Sequence, residues 1–564
     1  MKLTKILALL LAVVMILAMA AGCGSKGETP SDTPADNPAT DAPAQPPADT
    51  PDAPADTPDE PTEVSLPLVD ETVSFEMLYP LEPFTMPYGL TGEDIINFQY
   101  MEEATNIHFE LNAISFLQVS DTFNIMIASQ EYGDFIKGFE NYYKNGADDA
   151  VDQDIVIDLM PYIDNELSAY KDALNQDKDL WMYTLSPEGK IVSANYLMPG
   201  GEPSTAGLMY NLDWLEGLGL NVPQTYDEVY EFLTKARDEY GSKGVMLNDV
   251  GVDTEYALSG GYGALGYTSS NYNTHPFIQV DNVVEYSPVT DGYRSYLEML
   301  AKWYKEGLIY PDYASVSFMD QMDVVGQGGI ALWSSSYDAA GTVENNTEGA
   351  VRMRGMTQPT VNAEDKVHIS KGVTKMIYGA AITTQCHDLE TALKWVNFCY
   401  TEKGQMITGY GKEGETYNMV DGKPEFTDLV INNPDYVLIV AVNVYTTYGT
   451  PAIVDGARYS GGWSDLDWEV IECFNDPDRD WAYYIPTTYV SMSADVASSF
   501  SAIMSDIATY VMQYAAQAIN GDIVIEDTWD EYVAKIEGLG LPEAIGYEQQ
   551  AWDDYLAKAQ YIPA

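Results

Sequence analysis

The chain has 564 residues, 46% of them hydrophobic, with 27 Lys and Arg against 87 Asp and Glu, a formal charge of −60. So acidic a surface repels nucleic acid, whose binding depends on cations that neutralise phosphates, and disfavours anionic lipid. The length past residue 65 exceeds what one hydrophobic core usually supports, so two or more lobes are expected.

The first residues read as targeting rather than fold. Lys2 and Lys5 form a positive n-region, and Ile6 to Ala20 is an apolar run of 15 residues. That is short of the ~20 needed to span a bilayer, so it is a signal h-region. Ala20, Ala21 and Gly22 are small, and Cys23 follows at once, the pattern of a bacterial lipobox whose cysteine is lipidated to become the mature N-terminus. The expected boundaries are a signal peptide at 1–22 and, at 23–65, a lipidated cysteine with a disordered tether. From Gly24 to Ser65 the chain repeats Pro, Ala, Asp and Thr, with ten carboxylates against one lysine. It has too little apolar surface to offset the entropy of ordering. At roughly 3 Å per residue, 40 such residues reach on the order of 100 Å.

Strand and helix signals then alternate. Ser74–Tyr79 reads as a strand, Ile95–Thr105 as an amphipathic helix and Ile107–Leu111 as a second strand. Thr122–Ser129 reads as a helix and Phe135–Ile136 as a third strand. This alternation predicts an α/β lobe with a largely parallel sheet. Ligands of such sheets sit at the carboxyl ends of strands, which directs attention to Tyr79–Pro83 and Glu131–Asp134. Farther on, Tyr210–Gly219 reads as a helix closed by glycine. Thr225 and Glu228 form a capping box for a helix to about Tyr240. Helices are also expected over Gly292–Glu306, Leu389–Thr401, Ser491–Ile519 and Thr528–Ile536.

The chemistry of an enzyme is not signalled. Four histidines, at 108, 275, 368 and 387, are scattered, without HExxH spacing, and no GxSxG occurs. Gly261-Tyr262-Gly263-Ala264-Leu265-Gly266 matches GxGxxG but lacks the strand before it and the helix after it. Asp476-Pro477-Asp478-Arg479-Asp480 hints at calcium, yet it has neither the EF-hand glycine nor the closing glutamate. No metal and no cofactor are expected. Besides Cys23, the cysteines are Cys386, Cys399 and Cys473, whose spacing matches no zinc pattern. Cys399 reads as a buried thiol, and one disulfide among the three stays open. Glycoside hydrolysis, which needs only two carboxylates, is the enzymatic alternative, and an adhesion protein the structural one.

Aromatic residues are in excess, with 42 Tyr and 10 Trp. Their rigid faces and polar handles suit a sugar. Candidate ligand-binding residues are Trp333 and Tyr337, after the Gly326–Gly329 turn; Tyr262 on its glycine loop; Trp463 in Tyr459-Ser460-Gly461-Gly462-Trp463; Asp134, as a hydroxyl acceptor; and Tyr132 and Tyr79 by position.

Four stretches carry a resemblance: Tyr210–Glu228 (YNLDWLEGLGLNVPQTYDE), Asp281–Pro311 (DNVVEYSPVTDGYRSYLEMLAKWYKEGLIYP), Leu389–Tyr417 (LETALKWVNFCYTEKGQMITGYGKEGETY) and Asn520–Leu541 (NGDIVIEDTWDEYVAKIEGLGL). In this order they resemble the extracellular solute-binding lipoproteins of ABC importers, the long Gram-positive type related to family 1. The resemblance implies a two-lobed α/β clamp of the periplasmic-binding-protein type II, with an interlobe hinge and no catalysis. The implied parts are lobe I over 66–205, lobe II over 206–370, a lobe I return over 371–450, and C-terminal helices, mainly lobe II, over 451–564. It further implies a small-molecule ligand, with a carbohydrate preferred and peptides open. The partners are permease subunits and the membrane through the anchor, with no nucleic acid. The expected form is a lipid-anchored monomer outside the cell.

Overall fold

The computed structural model describes residues 65–247, 257–267, 276–316, 318–369, 374–458, 460–476, 480 and 482–563. The signal peptide, Cys23 and the tether lie outside these residues, as do His275, Tyr459 and the centre of the Asp476–Asp480 run. Strands β1 (Val73–Pro80), β2 (Ile107–Ile114), β3 (Phe135–Lys137) and β4 (Ala194–Glu202) come first. They are followed by β5 (Ala206–Asn211), β6 (Val245–Met246), the hairpin of β7 (Phe277–Val280) and β8 (Val283–Tyr286), β9 (Leu332–Ser336) and β10 (Met353–Gly355). Then come β11 (Thr374–Ile382), a second hairpin of β12 (Tyr417–Val420) and β13 (Lys423–Phe426), and β14 (Ala452–Ile453).

Two sheets organise the molecule. One has six strands in the order β14-β4-β11-β3-β1-β2, the other four in the order β10-β5-β9-β6. In the six-stranded sheet β11 alone runs against its neighbours. The reason is topological: β11 arrives from the other sheet and so enters at the edge that the other strands leave. The chain passes between the sheets three times, from β4 to β5, from β10 to β11, and from β14 to the helix Asp465–Phe474 that packs on β10 and β5.

Side chains follow the period of two along β1. Phe75, Met77 and Tyr79 enter one core with Phe109, Phe135 and Trp395, while Leu78 joins Phe123, Ile136 and Phe139 on the opposite face. Trp395 lies 4.5 Å from the Phe109 ring. The second lobe's core unites the helices Tyr226–Tyr240 and Asp291–Lys305 with the C-terminal helices Ala494–Asn520, Ile525–Gly538 and Leu541–Ala557.

Local signals behave as the residues dictate, with instructive shifts at their ends. Thr225 Oγ1 accepts the Glu228 N–H at 3.3 Å, and the Glu228 carboxylate accepts the Thr225 N–H at 3.1 Å, completing the capping box. Tyr210 belongs to β5, because Asn211 caps the next helix by accepting the Trp214 N–H. The helix expected to reach Thr401 ends at Cys399, since Thr401 caps a separate helix, Glu402–Tyr410. Cys386, Cys399 and Cys473 are free thiols, with Cys399 buried.

Close approach makes one glycine indispensable. A Cβ at Gly379 would stand 1.8 Å from the Ala194 carbonyl oxygen, where β11 lies against β4. Its N–H donates to Asn195 Oδ1 at 3.1 Å, and its carbonyl accepts the Gly138 N–H. Gly379→Ala is therefore expected to cost about 1–3 kcal/mol in urea unfolding, because the two strands must part. Unchanged stability would show that the strands give way freely.

Glu548, on the helix Leu541–Ala557, is 6% exposed, and burial pushes its carboxyl up to about 7. A carboxyl raised on folding leaves its stabilisation intact below its unfolded value near 4.5 and loses it as pH rises through 7. Melting curves are expected to show stability falling over that window. Glu548→Gln should remove a share on the order of 3 kcal/mol and make the variant the more stable form at pH 8. Identical pH profiles for the two proteins would contradict this.

Candidate functional site

Register creates a ledge between the lobes. β3 ends beside Ala380 of β11, whereas β11 begins at Thr374, opposite Glu202 of β4. The β4–β11 ribbon thus runs on past the end of β3 towards the second lobe. Gly138, at φ 65°, turns the chain off β3, and the short helix Phe139–Tyr142 sets Glu140 and Asn141 over the ledge.

Two adjoining cavities of about 330 and 250 Å³ lie here. Both are lined by Asn141, Tyr183, Tyr378, Thr488 and Tyr489. Tyr183 and Tyr489 pack against the cores of both lobes, which places the cavities at the lobe junction. Their rings stack at 4.0 Å and 18°, and Tyr378 meets Tyr489 edge-on at 5.8 Å. The Tyr378 hydroxyl donates to the Thr488 carbonyl at 3.0 Å, and the Tyr489 hydroxyl to that of Met376. These bonds tie segment 488–489 to β11 and fix the tyrosine faces.

Four charged side chains line the two cavities. Glu140 accepts the Ser193 hydroxyl at 2.6 Å, and burial pushes its carboxyl up to about 7, so it is largely protonated below neutral pH. Lys144 donates to the Asn141 carbonyl at 2.8 Å. Lys375 is held by Asp177 at 2.7 Å and Asp179 at 2.6 Å. Lys558 donates to the Tyr489 carbonyl at 3.0 Å and the Met182 carbonyl at 3.5 Å. Rigid aromatic faces with a few fixed donors and acceptors can hold a ligand without transforming it. A larger groove of about 560 Å³ lies along β2, the outer strand of one sheet, and touches that lobe alone. No group of three or more His, Cys, Asp or Glu placed to hold a metal occurs among the described residues.

None of the seven residues singled out from the sequence lines the two interlobe cavities. Asp134 stands at the start of β3, not its end, and is 6% exposed. Its carboxylate accepts the Glu76 N–H at 2.8 Å, the His387 N–H at 3.1 Å and the His387 ring at 2.8 Å, so its acceptor sites serve the fold. Tyr132, beside it, is buried against the helix Val119–Ser129. Tyr79 lies beneath the Lys137 ammonium, 4.3 Å from its ring, while Lys137 pairs with Glu82 at 2.8 Å. Trp333 is 1% exposed inside β9, its indole N–H donating to Gln321 Oε1 at 3.0 Å. Tyr262 stacks on Tyr226 at 4.3 Å.

Tyr337 and Trp463 are brought together, 5.5 Å apart, and Trp463 meets Trp468 at 4.8 Å. They gather beside the first crossing, where the Tyr337 N–H donates to the Thr205 carbonyl. The residues that do line the cavities include Asn141, from the run Phe139–Lys144. Its signal was available in its place immediately after a strand, the edge at which ligands bind. Tyr378 and Tyr489 carried none, because each is placed by pairing and packing with distant chain.

Comparison with known proteins accords with this architecture. The chain is 20% identical over 495 residues to the fructooligosaccharide ABC transporter substrate-binding protein FusA of Streptococcus pneumoniae, covering 81% of this chain and 87% of that one. It is 23% identical over 349 residues to the lipoprotein LipO of Bacillus subtilis, covering 59% and 66%. Its fold is shared with a human-milk-oligosaccharide-binding ABC-transporter-associated solute-binding protein of Bifidobacterium longum infantis, at a TM-score of 0.68 and 19% identity over 86% of this chain and 99% of that one. Residues 87–406 match the family model of the bacterial extracellular solute-binding proteins, and the chain belongs to that family.

Proposed function

We propose that the protein captures an oligosaccharide between its two lobes and passes it intact to the membrane subunits of an ABC importer. The observation that carries this reading is the pair of adjoining cavities at the lobe junction, walled by Tyr183, Tyr378 and Tyr489. Tyrosine faces bury the apolar face of a sugar ring, and Asn141 offers both a donor and an acceptor to its hydroxyls. The names of FusA and of the Bifidobacterium protein support the same ligand class. Closure follows from the topology: the crossings are few, and bending there brings the cavity walls onto the ligand from both sides. Lipidation at Cys23 would hold this monomeric clamp at the outer face of the membrane, with the acidic stalk giving it reach.

Hydrolysis finds no support in the lining. Glu140 is the one carboxylate among the described residues that line the two cavities, whereas a glycosidase places two about the scissile bond.

The reading is tested by calorimetric titration of fructooligosaccharides, human milk oligosaccharides and mixed peptides into the full-length protein, with product analysis of every bound sugar. An oligosaccharide should bind and be recovered unchanged. Asn141→Ala should weaken that binding about tenfold, the cost of an unmade hydrogen bond in a closed site. Recovery of cleaved sugar, or binding of peptides alone, would overturn the proposal.

A further inference from the structure

The lining of the interlobe cavities is richer in lysine than the chain as a whole. Across the sequence 27 Lys and Arg face 87 Asp and Glu. The side chains that line the two cavities include three lysines, Lys144, Lys375 and Lys558, and one carboxylate, Glu140. Lys375 is neutralised by Asp177 and Asp179. The other two have no carboxylate within ion-pair distance among the described residues.

Lys558 is the telling one. It is 3% exposed and sits just past the helix Leu541–Ala557, which carries its ammonium to the wall of the larger cavity. Its two hydrogen bonds go to neutral carbonyls, those of Met182 and Tyr489. An ammonium has three N–H donors; besides the two carbonyls, Lys558 has the Tyr555 ring, its ammonium 5.2 Å from the ring centre, and no third hydrogen-bond acceptor among the described residues. Asp148 is the carboxylate that influences it, but Asp148 itself accepts the Ser186 hydroxyl and lies 3.7 Å from Lys190. Burial pushes the Lys558 ammonium down to about 8, and Asp148 offsets only part of that cost. Buried cations are ordinarily paired. Burial also pushes the Glu140 carboxyl up, which reduces the opposing charge it carries near neutral pH.

We infer that the saccharide held between the lobes is acidic, and that a carboxylate or sulfate on it is received by Lys558 in the larger cavity with Lys144 at its margin. The inference rests on the carbohydrate reading above and narrows its ligand class. It reconciles an anionic protein with an anionic ligand: the acidic surface lies in solvent and is screened, while the lysine acts at contact in a site of low dielectric.

The test is calorimetric titration of the full-length protein with short oligogalacturonides, the same oligomers fully methyl-esterified, and sulfated oligosaccharides of similar length. At least one acidic form should bind more tightly than the esterified form by about tenfold or more, the worth of one charged hydrogen bond. The difference should shrink as salt is added. Lys558→Met should abolish it; if that variant does not fold, Lys144→Ala, at an exposed position, should reduce it. Equal or tighter binding of the esterified form overturns the inference and leaves the carbohydrate reading standing. Binding of neutral oligosaccharides alone does the same. Failure of every saccharide to bind overturns both.

Discussion

The whole arrangement depends on the pairing of β4 with β11. These strands carry the chain out of and back into the six-stranded sheet, and they continue past the end of β3 as a two-stranded ribbon. Gly379 allows them to lie close, since any side chain there would meet the Ala194 carbonyl. From that ribbon follow the ledge beyond β3, the wall that Tyr378 contributes and the anchor to which segment 488–489 is tied. A hinge made of paired strands resists sliding and permits bending, which is what a clamp requires.

Electrostatics and packing divide the work. A charge of −60 is tolerated because, among the described residues, Asp134 and Glu548 are the only fully buried carboxylates, and charge in solvent favours solubility and says little about fold. Inside, the aromatic excess is spent largely on the cores: Trp395 among Phe109 and Phe135, and Tyr532 stacked at 4.0 Å on Tyr514. A small share, Tyr183, Tyr378 and Tyr489, is left at the lobe junction. Their exposure there reflects two surfaces that meet without filling the space between them.

What the sequence disclosed depended on how local the cause was. The Thr225–Glu228 cap is written in four residues and was legible as such, as was the alternation that made the first lobe α/β. The resemblance in four ordered stretches led to the two-lobed clamp. Site residues were harder, for physical reasons that differ from one to the next. Asp134 has the chemistry of a sugar ligand, but the loop that bears it feeds a strand instead of leaving one, so it stands at the wrong edge of the sheet. Trp333 alternates inward on β9, where its indole finds Gln321. Tyr489 becomes a wall because it stacks on a residue 306 positions away in the chain, Tyr183, and no window of sequence contains that fact.

The central claim is that the crossings form a hinge which closes on a saccharide. It is tested most directly by distance measurement between spectroscopic labels on the two lobes, at the exposed positions Ile125 and Val283, in the full-length protein with and without saturating oligosaccharide. The account predicts a shorter, narrower distance distribution when the sugar is bound. A sugar that binds with full occupancy and leaves the distribution unchanged would contradict it.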